Sequence, residues 1–225
     1  SYTANMLAAY YSKGCNSEKM FSRLAISKDA NYRKHLNKYD VIHIDIQWFL
    51  SNSKDADGVV QFIKTAILSE LKEIYPYILS EAIYSVSDAL SIIREKTGQK
   101  FIIIIDEWDV LIRDEAANQE IQTEYLNFLR GLFKGVEPTR YIQLAYLTGI
   151  LPFKKEKTQS AVNNLKHYSM LSAGPLAPYI GFTEEEVKEL CAEHSQNFAE
   201  VKRWYDGYKI GKYHVYNPNA VVRVI

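Results

Sequence analysis

Phe101-Ile102-Ile103-Ile104-Ile105 is an unbroken apolar run that delivers two carboxylates, Asp106 and Glu107, at its end. A strand with one wet face alternates apolar and polar residues, so an unbroken run must be covered on both faces. That requires helices above and below the sheet, the condition met by parallel sheets built from strand–helix–strand units. The rest of the chain supplies the pieces. Val41–Ile46 and Tyr141–Leu147 are two further strand-like runs. Between the first and second strands, Val59, Ile63, Ile67, Leu71 and Ile74 share one helical face. Pro76 interrupts that helix, and a second helical stretch runs to about Lys96, stopping before Gly98. Apolar residues at 121, 125, 128, 129, 132 and 133 mark an amphipathic helix before the third strand. Tyr2–Lys13 is a helix with Gly14 as its stop. The prediction is an α/β fold with a three-layer parallel sheet.

The C-terminal quarter changes character. Pro175 and Pro178 mark a connection, after which Thr183 and Glu186 fit a capping box and Phe182 and Val187 a hydrophobic staple. A helix is therefore expected from Thr183 to about His194. Trp204–Tyr208 and Val215–Pro218 are turn-rich and aromatic, with another helix beginning near Asn219. The predicted division is residues 1–174 for the α/β core and 175–225 for a small helical lid.

Composition removes several classes of function. The 225 residues carry 27 Lys and Arg against 27 Asp and Glu, a formal balance of zero that argues against binding dominated by nucleic-acid phosphates. No apolar run approaches the roughly 20 residues that cross a bilayer, so no membrane partner is expected. Cys15 and Cys191 form neither a disulfide framework nor a metal knuckle, and the five histidines have no ligand-like spacing. With no signal-peptide pattern, a reducing, cytoplasmic setting is the expectation.

The chemistry centres on Asp106 and Glu107. In open α/β sheets, ligands bind in the crevice at the carboxyl ends of the strands. A strand-end Asp can hold Mg²⁺ beside a triphosphate, and an adjacent Glu can polarise the attacking water. The same two residues also suit a bare strand end that caps the next helix. Thr148, ending the third strand before Gly149, could hydrogen-bond a γ-phosphate or simply form a strand-to-loop turn. Lys154, Lys155 and Lys157 could contact phosphate or form a solvated loop. Asp45 suits cap duty at the end of its strand, and His43, flanked by apolar residues, reads as a packed core histidine. Trp204, Tyr205, Tyr208, Tyr213 and Tyr216, with Lys202, Arg203, Lys209 and Lys212, form a basic-aromatic cluster suited to lid packing or to stacking bases.

Five segments together resemble a known family. Phe101–Asp109, Leu147-Thr-Gly-Ile150, Gly181–Val187, Trp204–Tyr208 and Val215–Pro218 are similar, in order and spacing, to the bacterial predicted AAA-ATPase-like family. Its members often carry a PD-(D/E)xK nuclease-like domain downstream. The resemblance implies a P-loop NTPase with ATP and Mg²⁺ as ligands, coupling nucleotide state to a downstream effector. It makes Phe101–Glu107 the Walker B strand, with Asp106 on Mg²⁺, Glu107 activating water and Thr148 sensing the γ-phosphate.

Ser1 falls where the family's phosphate-loop Ser or Thr would ligate Mg²⁺, so the chain is expected to lack its first strand and most of that loop. By resemblance the sheet order is 5-1-4-3-2 with the absent strand central, and a strand near Tyr168–Leu171 takes the fifth place. The third strand would then expose an apolar edge open to self-association, and these residues alone should bind ATP poorly. Lys154 stands near where many members place an Arg, and lacks that residue's fork. Nucleic acid would be a partner through a downstream domain only. Two rivals remain open: a non-catalytic regulatory or interaction module, and a metal-dependent nuclease using Asp45, Asp106, Glu107 and Asp109.

Overall fold

A computed structural model describes residues 2–53, 58–113, 118–152, 164–205 and 207–225. The chain divides into two compact units, residues 1–165 and 166–225.

The first unit opens with helix α1 (Tyr2–Tyr11), followed by short helical turns and strand β1 (Asp40–Asp45). Asp45 ends the strand because its carboxylate accepts the Trp48 N–H at 3.0 Å and caps helix α2 (Ile46–Asn52). Ile46 is therefore helical, one residue short of the predicted strand end. Helix α3 (Val59–Ile74) buries Val59, Val60, Ile63, Ile67, Leu68 and Leu71, whereas Ile74, the last residue of the predicted face, is 52% exposed at the helix end. Helix α4 (Val86–Thr97) starts ten residues after Pro76, where the Ser85 hydroxyl accepts the Asp88 N–H. It stops at Gly98, whose φ of 75° an L side chain adopts only at a cost. Strand β2 (Phe101–Asp106) is buried at every position. A short helix α5 (Val110–Arg113) follows, then α6 (Gln119–Phe133), capped by Asn118, then α7 (Glu137–Tyr141) and strand β3 (Ile142–Leu147).

The three strands form a parallel sheet in the order β1-β2-β3. Asp45 pairs with Asp106 and Ile105 with Leu147, so the carboxyl ends of all three strands share one edge. Alternation assigns the faces. Ile102 and Ile104 pack with Ala4 of α1, joined by Val41, Leu144 and Tyr146. Phe101, Ile103 and Ile105 face the larger core built with α3, α4 and α6. A central strand covered on both sides is what the isoleucine run requires.

The second unit is not purely helical, contrary to expectation. Strands β4 (Phe182–Thr183), β5 (Tyr208–Ile210) and β6 (Tyr213–Tyr216) form an antiparallel sheet in the order β4-β6-β5. The unit also contains helices α8 (Glu184–Glu193), α9 (Phe198–Tyr205) and α10 (Pro218–Val224), and a 3₁₀ helix at Gly174–Tyr179. The β5–β6 hairpin closes through Gly211-Lys212, with Gly211 at φ 60°. Residues 168–171 form no strand; Ser169 and Ser172 close a turn there instead. Thr183 caps α8 in a complete capping box with Glu186, as the sequence predicts.

Candidate functional site

Asp106 is 2% exposed at the end of β2. It shares the parity of Ile102 and Ile104, so it lies on the face that α1 covers. Thr148, two residues beyond Tyr146, has the same parity on β3, and its hydroxyl hydrogen-bonds Asp106 Oδ1. The Thr148 hydroxyl also accepts the Glu107 N–H at 3.3 Å. Backbone bonds lock this end of the sheet: Thr148 N donates to Ile105 O at 3.0 Å, and Trp108 N donates to Thr148 O at 2.8 Å. A hydroxyl has one proton, so Thr148 cannot donate to Asp106 and to a phosphate at once.

The direction of α1 sets what faces this edge. Just past its C-terminus, Lys13 N donates to Tyr39 O at 2.9 Å, and Tyr39 N donates to Tyr11 O at 3.0 Å. The end of α1 therefore sits at the amino edge of the sheet, and its start lies toward the carboxyl edge with Asp106. Ten residues climb about 15 Å in a helix, and the strand rises about 20 Å over its six residues. The first turn of α1 thus lies near the level of Asp106, on the same face.

Glu107 turns out of the strand in a left-handed conformation, φ 55°. Such a backbone costs a non-glycine residue about 1 kcal/mol and persists only where its surroundings hold it. The Thr148 hydroxyl holds its N–H, and Arg113 Nη2 holds its carboxylate at 3.0 Å. Arg113 is itself anchored: its Nε donates to Asp109 Oδ2 at 2.9 Å. Asp109 is fully buried, and the same oxygen accepts Ile150 N at 3.1 Å and Leu151 N at 2.7 Å. Its other oxygen has no hydrogen-bond partner among the described residues and rests against Gly149, where an added Cβ would come within 2.5 Å. Trp108 is 2% exposed, and its carbonyl accepts the Tyr125 hydroxyl at 2.7 Å. Burial raises the Tyr125 pKa well above the ordinary tyrosine range, so it remains a donor.

Of the residues singled out from the sequence, Asp106, Glu107 and Thr148 come together, while Ser1 and Lys154 lie outside the described residues. Asp45 stands beside Asp106 in the sheet but is committed to capping α2. Asp109 is a structural anchor of the loop after β3. No group of three His, Cys, Asp or Glu residues is placed to hold a metal among the described residues, which gives the nuclease reading no support. His43 is exposed rather than packed in the core. In the basic-aromatic cluster Tyr216 is fully buried, but Trp204 is 73% and Tyr208 61% exposed, so packing accounts for part of it only. Arg113 escaped sequence reading because its role depends on one helical turn bringing it back over Asp109, the i,i+4 relation that was the available signal. No helix among the described residues is long and apolar enough to cross a membrane.

Two comparisons with known proteins bear on this site. Residues 1–158 match the family AAA-ATPase_like, described as Predicted AAA-ATPase. A stretch of 124 residues, 54% of this chain, is 30% identical to a protein of Azotobacter chroococcum mcd 1 described as "Uncharacterized protein in vnfD 5'region". That stretch spans 24% of the relative's own length.

Proposed function

Because the chain belongs to the predicted AAA-ATPase family, we propose that the carboxyl edge of its parallel sheet binds and hydrolyses ATP with Mg²⁺, and that nucleotide state is passed to an effector region. Asp106 is the residue suited to the cation. Magnesium beside a nucleotide is normally held by one or two carboxylates, with phosphates and water completing the shell. A single buried strand-end carboxylate with a hydroxyl beside it fits that demand, where a cation needing an all-protein cage would not. Bound Mg²⁺ would supply neutralisation of phosphate charge. Glu107 is the carboxylate that orients the attacking water, and Thr148 reports the γ-phosphate by the choice its one proton must make between Asp106 and a phosphate oxygen. Ser1 keeps the role the family resemblance gives it, as a second Mg²⁺ ligand, and Lys154 is proposed as a phosphate contact near where many members carry an Arg.

The observation that supports this reading is the position of Asp106: buried, hydrogen-bonded by Thr148, and on the face and at the edge toward which α1 begins. The test is Glu107→Gln in the full-length protein. ATP affinity should stay within a few-fold of native, while turnover falls by about 100-fold or more. Undiminished turnover would remove Glu107 from the mechanism.

A second reading, a regulatory module acting through protein contacts, draws support from β3, which pairs on one side only among the described residues. A full-length protein whose melting temperature ignores ATP and Mg²⁺ would favour it.

A further inference from the structure

We propose that Arg113 is the positioning residue of the hydrolytic centre, holding Glu107 in its working orientation and tying that orientation to the loop after β3. The inference rests on the reading of Glu107 as the water-orienting carboxylate.

Glu107 needs external support. Its backbone is left-handed, its side chain is 42% exposed, and a glutamate in that situation has several rotamers open to it. Arg113 removes that freedom, because its guanidinium is held at both ends. Nη2 meets Glu107 Oε2 at 3.0 Å, and Nε meets Asp109 Oδ2 at 2.9 Å. An exposed arginine bridge ordinarily contributes little. Here one end is a fully buried carboxylate that cannot move without losing the Ile150 and Leu151 N–H bonds as well. The planar fork of Arg transmits that rigidity to Glu107 in a way a lysine would not.

The same carboxylate links two parts of the site. Asp109 fixes the backbone at 150 and 151, the segment directly after Thr148 and Gly149. Thr148 in turn touches Asp106 and the Glu107 N–H. A closed ring therefore runs from Glu107 through Arg113, Asp109 and the β3 loop to Thr148, and back to Glu107. A displacement of the loop after β3 reaches Glu107 through Arg113, which couples the sensing segment to the water-orienting one. The sequence lacks an arginine just after Thr148-Gly149, reading Ile150-Leu-Pro-Phe-Lys154. Helix α5 brings one to that loop from the other strand connection.

The experiment compares Arg113→Met, Arg113→Lys, Glu107→Gln and the Glu107→Gln/Arg113→Met double variant in the full-length protein, with native protein as reference. Arg113→Met should bind ATP within about twofold of native while kcat falls roughly 10- to 100-fold, and Arg113→Lys should recover part of the loss. The double variant should turn over no more slowly than Glu107→Gln alone, because the two residues act as a unit. A readout without nucleotide accompanies these: Arg113→Met should lower the melting temperature less in the Glu107→Gln background than in native protein.

Native kcat in Arg113→Met, independent losses in the double variant, or equal melting losses in both backgrounds would each overturn the inference and leave the ATPase reading standing. If native protein shows no Mg²⁺-dependent hydrolysis, or Glu107→Gln hydrolyses normally, the ATPase reading falls and the inference with it. If Arg113→Met does not fold, Arg113→Lys decides: native kcat with its shorter, forkless cation refutes the positioning role.

Discussion

Thr148 illustrates how much of this site rests on single atoms. One hydroxyl hydrogen-bonds the buried Asp106 carboxylate and supports the Glu107 backbone at a left-handed turn. Thr148→Val keeps shape and volume while removing both bonds, and should cost about 1–3 kcal/mol in urea unfolding, with Thr148→Ser close to native. Equal stability of the two variants would show that the hydroxyl carries no structural load. Gly149 answers to a steric constraint. A Cβ there would come 2.5 Å from Asp109 Oδ1 and 2.6 Å from the Trp108 ring, and neither neighbour has room to retreat because both are buried. Gly149→Ala should therefore destabilise the first unit by about 1–3 kcal/mol, read as a lowered urea midpoint with unchanged slope. An unchanged midpoint would mean that the loop after β3 gives way freely, contrary to the anchoring of Ile150 and Leu151.

Elements whose signals are local were legible in the sequence. The isoleucine run of β2, the faces of α3 and α6, and the capping box of α8 each follow from residues within a few positions of one another. The start of α4 is not given by Pro76, which marks an end and not the next beginning; Ser85 sets it by capping. The β5–β6 hairpin was missed although Ile210 and Val215 point inward on either side of a two-residue Gly211-Lys212 turn. Its aromatic residues suit lid packing or base stacking as well as strand pairing, and so mask the alternation. Helix α8 carries a test of its own. Lys188 at 2.7 Å and Lys202 at 2.8 Å hold the Glu184 carboxyl down from 4.5 to about 2. A carboxyl whose folded pKa is depressed stabilises the fold above its unfolded value and loses that contribution as pH falls through the folded one. The melting temperature of the second unit should thus decline between pH 4.5 and about 2, and decline less in Lys188→Met, where the first of those partners is gone. A parallel decline in both proteins would assign the acid sensitivity elsewhere.

At the scale of the molecule, the strand–helix alternation predicts a parallel sheet, but the order in which its strands pair follows from the resemblance alone. Asp106 and Thr148 are 42 residues apart, and only the parallel register makes them neighbours. The Arg113–Asp109 anchor gains its meaning from Leu151, brought back by that same register. One consequence of the sheet order is open to measurement. Strand β3, reading Ile142-Gln-Leu-Ala-Tyr-Leu147, pairs with β2 and, among the described residues, with nothing on its other side. Protein edges are usually guarded by lysine, proline or bulges facing the open side. This strand has no lysine or proline, its one irregularity lies at the start of the β2 pairing, and Leu144 to Leu147 are all partly exposed. The formal charge of zero supplies no long-range repulsion between copies near neutral pH. Residues 1–225 should therefore self-associate at pH 7, with a weight-average mass in sedimentation that rises with protein concentration and persists in high salt, since backbone bonds and apolar burial are weakly screened. Gln143 is exposed on β3, so Gln143→Lys places a like charge on each approaching edge and should return the mass toward that of one chain. A native mass independent of concentration would show that the edge is protected, and association unaffected by Gln143→Lys would place the contact on another surface.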